Sequence, residues 1–185
     1  GILEPTSGNI EVLGLDVLKE PNTVKDRIGV QLQASSYFDY LSVREILQLF
    51  GSFYTKQVAI EGVLQRVGLS EKSNVTVGKL SGGQQQRFAI AATLVNDPEL
   101  IILDEPTVGL DPQARRGIWD FIRAIQKVGN TVVMTTHYME EAAVLCDRVA
   151  IMNQGRIVAV DSPRSLVRSL PAPYEIRCKS DRELG

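Results

Sequence analysis

The stretch Leu100-Ile101-Ile102-Leu103-Asp104-Glu105 constrains the fold more than any other part of this 185-residue chain. Its apolar run is too short for a globular helix and offers no polar alternate positions, so it reads as a strand covered on both faces. Such strands belong to parallel sheets flanked by helices. Acids at the C-terminal end of one lie where open α/β sheets meet their ligands. Consecutive strand residues point to opposite faces, so Asp104 and Glu105 can do different jobs. One can hold a hard divalent cation, and the other can orient or deprotonate an attacking water. The plain alternative is a strand ending in solvated acids. Pro106-Thr107 and Gly109-Leu110-Asp111, which follow directly, weigh against it.

On either side of this strand the chain alternates strands and helices around a stretch that is helical throughout. Asn9–Leu13 reads as a short strand after the turn Pro5-Thr6-Ser7-Gly8, and Arg27–Leu32 as a second. From Ser42 the period becomes helical, with Val43, Ile46, Leu47, Phe50, Phe53 and Tyr54 on one face. A second helix spans Val58–Val67 and stops at Gly68. A third opens at Ser81 and ends near Asn96-Asp97-Pro98. Asp111 and Pro112 are an N-cap and first helical residue. The helix they open has Ile118, Phe121, Ile122, Ile125 and Val128 as its core face, and Gly129 ends it. Thr131–Thr135 reads as another buried strand. Tyr138–Leu145 is a short helix, followed by strand Arg148–Met152, a tight turn at Gln154-Gly155 and strand Arg156–Val160. The fold class is α/β, a mainly parallel sheet with an inserted helical subdomain. Residues 1–34 and 98–168 are expected to form the core and 35–97 the helical part. Residues 169–185 would begin a C-terminal extension or linker.

Composition bounds the function. The formal net charge is −2, so no bulk electrostatic case exists for nucleic acid or anionic lipid. No apolar run reaches the ~18 residues of a membrane span. Cys146 and Cys178 lack CxxC spacing and make no disulfide framework, which leaves a reducing compartment as the default. With a single histidine, a zinc site is not expected.

Other residues carry chemistry by position. Ser81-Gly82-Gly83-Gln84 fits a capping box, Ser81 at the N-cap and Gln84 three residues on. Two glycines in a first turn are poor helix formers and make sense where something must approach the backbone. A helix N-terminus with bare N–H groups is a ready anion site. His137 follows a buried strand, which sets it on the ligand edge of the sheet. A lone histidine is otherwise more often structural. Gln33 ends the strand before the helical part, where, taken alone, simple strand-end solvation is the better reading.

Leu80-Ser81-Gly82-Gly83-Gln84-Gln85-Gln86-Arg87, the Asp104-Glu105 strand and Gly109-Leu110-Asp111 together resemble the signature motif, Walker B motif and D-loop of ABC-type ATPases. The resemblance implies a P-loop NTPase core binding ATP and Mg²⁺. It implies that Ser81, Gly82, Gly83 and Gln84 contact the γ-phosphate of ATP held by a second subunit, in a homo- or heterodimer of ATP-binding domains. It assigns Mg²⁺ to Asp104, the lytic water to Glu105 and the γ-phosphate to His137. Gln33 becomes the residue that touches Mg²⁺ and water and links the core to a membrane partner, with Gln31 ranked below it. Asp111 falls in the dimer interface, where Val108 replaces a frequent serine. The runs around Pro106–Arg116 and His137–Ala142 look most like bacterial exporter subunits of the multidrug or polysaccharide (ABC-2) type. These work with a transmembrane permease at the cytoplasmic face of the membrane, and no nucleic-acid partner is expected.

The loop GxxxxGK[ST] is absent. The only Gly-Lys pair, Gly78-Lys79, is followed by Leu80. Gly1–Gly8 resembles the end of the helix after that loop, so the Walker A strand, loop and helix are expected upstream of Gly1. The 185 residues alone are then expected not to hydrolyse ATP. An open hydrophobic edge is expected beside the Walker B strand. ABC ATPases of translation or DNA repair, and a non-hydrolysing half-domain, stay open as alternatives. A long heptad coiled coil of the repair type is absent.

Overall fold

The computed structural model describes residues 3–33, 37–38 and 40–170, in two compact units, Gly1–His137 and Tyr138–Gly185. Cys178, the Gly1-Ile2 start and most of the expected 169–185 extension lie outside the described residues.

The first unit opens with a two-residue hairpin, β1 (Glu11–Val12) and β2 (Leu15–Asp16). Its Leu13-Gly14 turn has φ of 54° and 76°, as type I′ turns require. The strand expected over Asn9–Leu13 is thus shorter and stands apart from the main sheet. Helix α1 (Pro21–Arg27), which no hydrophobic period marks, leads straight into β3 (Ile28–Gln31).

In the inserted helices the apolar faces close on one another. α2 (Val43–Gly51) carries a full capping box between Ser42 and Glu45. α3 (Ile60–Val67) ends on Gly68, whose φ of 67° is the left-handed cap that glycine adopts freely. α4 (Gly82–Ala92) packs against both. Val43, Ile46, Leu47, Leu64, Phe88 and Ile90 are fully buried here. Each such side chain contributes about 1.5–3 kcal/mol of burial. Phe53, expected on the α2 core face, is exposed. The helix stops at Gly51, and beyond it the 3.6-residue phase no longer holds.

α4 also ends before Asn96, because its C-terminus docks onto β3. Asn96 Nδ2 donates to the carbonyls of Asp26 (3.0 Å) and Ile28 (3.1 Å). A methyl on Gly29 would lie 2.1 Å from the Thr93 carbonyl oxygen, so β3 approaches this turn at a distance only glycine allows.

The sheet has the order β3-β4-β5, all parallel, with β4 (Leu100–Asp104) in the centre and β5 (Thr131–Thr135) at one side. This corrects the expected open edge beside the Walker B strand. Both edges of β4 are paired, and among the described residues the unpaired edges are the outer edges of β3 and β5. Nor is β5 covered on both faces: Thr131, Val133 and Thr135 are exposed while Val132 and Met134 are half-buried. A run of β-branched residues reads alike whether one face or two are covered. α5 (Pro112–Lys127) buries Ile118, Trp119, Ile122 and Ile125. Val128, expected on that face, is exposed, since the helix has ended at Lys127.

The second unit holds α6 (Met139–Leu145), the antiparallel hairpin β6 (Val149–Asn153) and β7 (Arg156–Asp161), and α7 (Pro163–Arg168). The expected Gln154-Gly155 turn is present with φ of 49° and 73°. Cys146, at the C-cap of α6, has its thiol pKa raised by burial and by the nearby Glu141 and Asp147 carboxylates.

Candidate functional site

Parallel strands bring their C-terminal ends to one edge, and the three ends here carry the expected catalytic residues. Gln33 lies just past β3, Asp104 ends β4 with Glu105 next, and His137 lies just past β5. Glu105 is the meeting point. Its Oε2 stands 3.2 Å from His137 Nδ1 and accepts from Gln33 Nε2 at 3.4 Å. Residues far apart in the chain thus converge on one carboxylate oxygen. Glu105 has a φ of 47°, a region that costs a non-glycine residue energy. Its backbone N–H holds the kink by donating to both the carbonyl and the hydroxyl of Thr135, each at 3.1 Å.

Asp104 faces the neighbouring strand, where its register partner is Thr135, whose hydroxyl donates to Asp104 Oδ1. Among the described residues no cluster of three or more His, Cys, Asp or Glu forms a ready-made cation cage. A site with one or two protein oxygens suits Mg²⁺, which keeps waters and takes substrate phosphate oxygens for the rest. Asp104 and Gln33 fit as those protein oxygens.

A second group forms around the start of α4. Ser81 Oγ accepts from the Gln84 N–H at 3.4 Å, and Gln84 Oε1 accepts from the Ser81 N–H at 3.0 Å, completing the expected capping box. A methyl on Gly83 would stand 3.2 Å from Ala114 Cβ, so this glycine serves close helix packing against α5. Gly82 meets nothing nearer than Leu110, 4.0 Å from where its Cβ would be, and keeps its backbone open. Asp111 caps α5, its Oδ1 accepting from the Gln113 and Ala114 N–H groups at 2.9 Å each. Gln33, Gly82, Val108 and Leu110 line one cleft of about 300 Å³. A larger cavity of about 410 Å³ opens by Glu99 and Thr131, at the opposite, N-terminal ends of the strands, and holds none of the expected site residues.

Two residues go beyond the expected set. Thr135 ties Asp104 and Glu105 together, and only its register opposite Asp104 reveals it. Gln31, ranked below Gln33, is 5% exposed and donates to the Leu32 carbonyl at 2.7 Å and the Asp104 carbonyl at 3.4 Å. It fastens β3 to β4 and does not join the Glu105 group.

The chain as a whole is similar to proteins already known. The chain is 38% identical over 174 residues to a Nod factor export ATP-binding protein I of Burkholderia lata, and 41% identical over 172 residues to that of Sinorhizobium fredii. These alignments cover 91% and 90% of this chain but only 57% and 50% of the relatives, so the chain spans about half their length. The cbiO1 structure from Clostridium perfringens, part of the ABC transporter complex cbiONQ, superposes with a TM-score of 0.80 at 30% identity. That superposition covers 91% of this chain and 71% of cbiO1. An ATP-binding subunit of an ABC transporter has the same fold, with a TM-score of 0.78 at 24% identity over 91% of this chain and 72% of its own. The family model described as ABC transporter matches residues 1–108, and the chain belongs to that family, as its ATP-binding domain.

Proposed function

We propose that the complete protein containing this chain hydrolyses ATP with Mg²⁺ and so powers an exporter in the membrane. The observation that carries the reading is the convergence of Gln33 and His137 on Glu105 at adjoining strand ends. Glu105 takes a proton from the attacking water, and Gln33 and His137 hold its carboxylate toward that water and the γ-phosphate. Asp104, steadied by Thr135, offers oxygen to the Mg²⁺ that neutralises phosphate charge when bound. Ser81, Gly82, Gly83 and Gln84 present the open N–H groups of the two glycines, the Ser81 and Gln84 side chains and a positive helix end to ATP held by a second subunit, and Asp111 lies at the junction between the two.

The relatives named for Nod factor export favour export over import, and the likeness to cbiO1, part of an ABC transporter complex, favours work within such a complex, with a permease as partner. Among the described residues no helix is long and apolar enough to cross a membrane. In this reading a permease holds the protein at the cytoplasmic face. Exposed Phe38 and Tyr40 lie close in sequence to Tyr37, which meets Phe88 edge-on (centroids 4.8 Å apart) and Phe50 (6.2 Å), and Phe50 in turn meets exposed Phe53 (6.4 Å). They offer that partner an aromatic surface, of which Phe38 and Tyr40 follow Gln33 within a few residues.

Mixing two dead variants tests the shared site. Ser81→Arg blocks the signature and Glu105→Gln removes the base. In a mixed dimer one site keeps Glu105 from one subunit and Ser81 from the other. ATPase activity should reappear on mixing. Two variants that stay inactive together, though they form dimers with ATP, would contradict a site built across two subunits.

A further inference from the structure

Gly117 sits within the regular helix α5, where glycine is a poor choice and no unusual φ calls for it. Its neighbour explains it. A methyl there would lie 2.9 Å from Arg87 Nη2 on α4. Gly68, at the end of α3, meets the other arm of the same group, with its Cβ position 3.0 Å from Arg87 Nη1. Nη1 also donates to the Val67 carbonyl at 3.5 Å. No carboxylate forms an ion pair with Arg87 among the described residues. Its charge rests against the C-terminal end of α3, where backbone carbonyls favour a cation.

Arg87 thus lies between the glycine that caps α3 and a glycine within α5. One helical turn nearer the start of α4, Gly83 meets Ala114 of α5 at the close approach already described. Gly83 and Arg87 share one face of α4, and Ala114 and Gly117 one face of α5. The two contacts fix both the height and the rotation of the Ser81–Gln84 turn relative to Asp111, which begins α5.

We propose that Arg87 is a positioning residue for the signature turn, holding Ser81–Gln84 in register with the Asp111 loop. This rests on the ATPase reading above and adds to it a residue remote from the nucleotide. Arg87→Ala should lower kcat of the complete ATP-binding protein about 100-fold through misplacement alone. KM for MgATP should stay within about twofold, since the residue does not touch bound nucleotide. Gly117→Ala, whose methyl displaces the guanidinium, should move kcat in the same direction. The double variant should be no worse than Arg87→Ala, because the two changes remove one contact. Arg87→Lys should restore part of the loss through its bond to Val67.

Hydrogen exchange gives a readout independent of turnover. The Gln84 and Gln85 amides should lose protection in Arg87→Ala and Gly117→Ala, while those of β4 keep theirs. A wild-type kcat in Arg87→Ala, additive losses in the double variant, or unchanged exchange at Gln84 and Gln85 would each overturn the proposal. Should Arg87→Ala fail to fold, Gly117→Ala, which adds one methyl, carries the same test. An inactive wild-type protein would defeat the ATPase reading, and the exchange measurement would still decide the placement of α4.

Discussion

Glu105 and Thr135 show how chemistry is set one residue at a time. The acid pair was legible because no stable core explains two adjacent carboxylates after four apolar residues. His137 was legible from its place after a strand and Gln33 only through the family resemblance, and the structure brings both to Glu105. Thr135 was not legible, because its role depends on register across two strands far apart in sequence. Its hydroxyl bonds Asp104 and accepts from the Glu105 N–H, so Thr135→Val removes both contacts at little cost in volume. The side chain is exposed, so the fold should survive. ATPase activity of the complete protein should fall about 10- to 100-fold, as for loss of groups that orient metal ligands. Titrating Mg²⁺ should show a weaker apparent affinity. Unchanged rates and Mg²⁺ dependence would remove Thr135 from the site.

At the scale of elements, helix starts were read well and helix ends less so. Ser42, Ser81 and Asp111 announce themselves, since a side chain that caps its own helix acts locally. The end of α4 is set by tertiary contacts. α4 stops early because Thr93 and Asn96 are needed against β3. Gly29→Ala should therefore destabilise the protein by about 3 kcal/mol, since the added methyl meets backbone that cannot give way. Urea unfolding checks this, and a midpoint equal to wild type would deny the close approach. The α2 capping box makes a pH prediction. Glu45 has its pKa lowered from 4.5 by the Ser42 N–H and then by the Ser42 hydroxyl. A depressed folded-state pKa gives stability that is present above the unfolded value and lost as pH falls through the folded one. Glu45→Gln should flatten the decline in stability below pH 4.5. Identical pH slopes in melts of both proteins would show that the box contributes no charge-linked stability.

For the whole molecule, the α/β layering and the helical insertion were readable from periodicity. The order of strands was not, because apolar runs do not say which neighbour they pair with. That is why the open edge was expected beside β4, whereas the open edges are those of β3 and β5. Val133 on that strand is exposed, as are Met152, Ile157 and Val158 on the β6–β7 hairpin. Unpaired strands and exposed apolar side chains invite association. The 185-residue polypeptide should self-associate in sedimentation runs as concentration rises, and a monomer at every concentration would contradict this. It should also fail to bind ATP measurably, since it contains no GxxxxGK[ST] loop to supply phosphate donors. The central claim is that Glu105 is the hydrolytic base of the complete protein. It is tested most directly by measuring ATP binding and ATP turnover side by side in wild type and Glu105→Gln. The geometry predicts retained ATP binding with turnover lowered at least about 100-fold. A Glu105→Gln protein that hydrolyses ATP at the wild-type rate would contradict it.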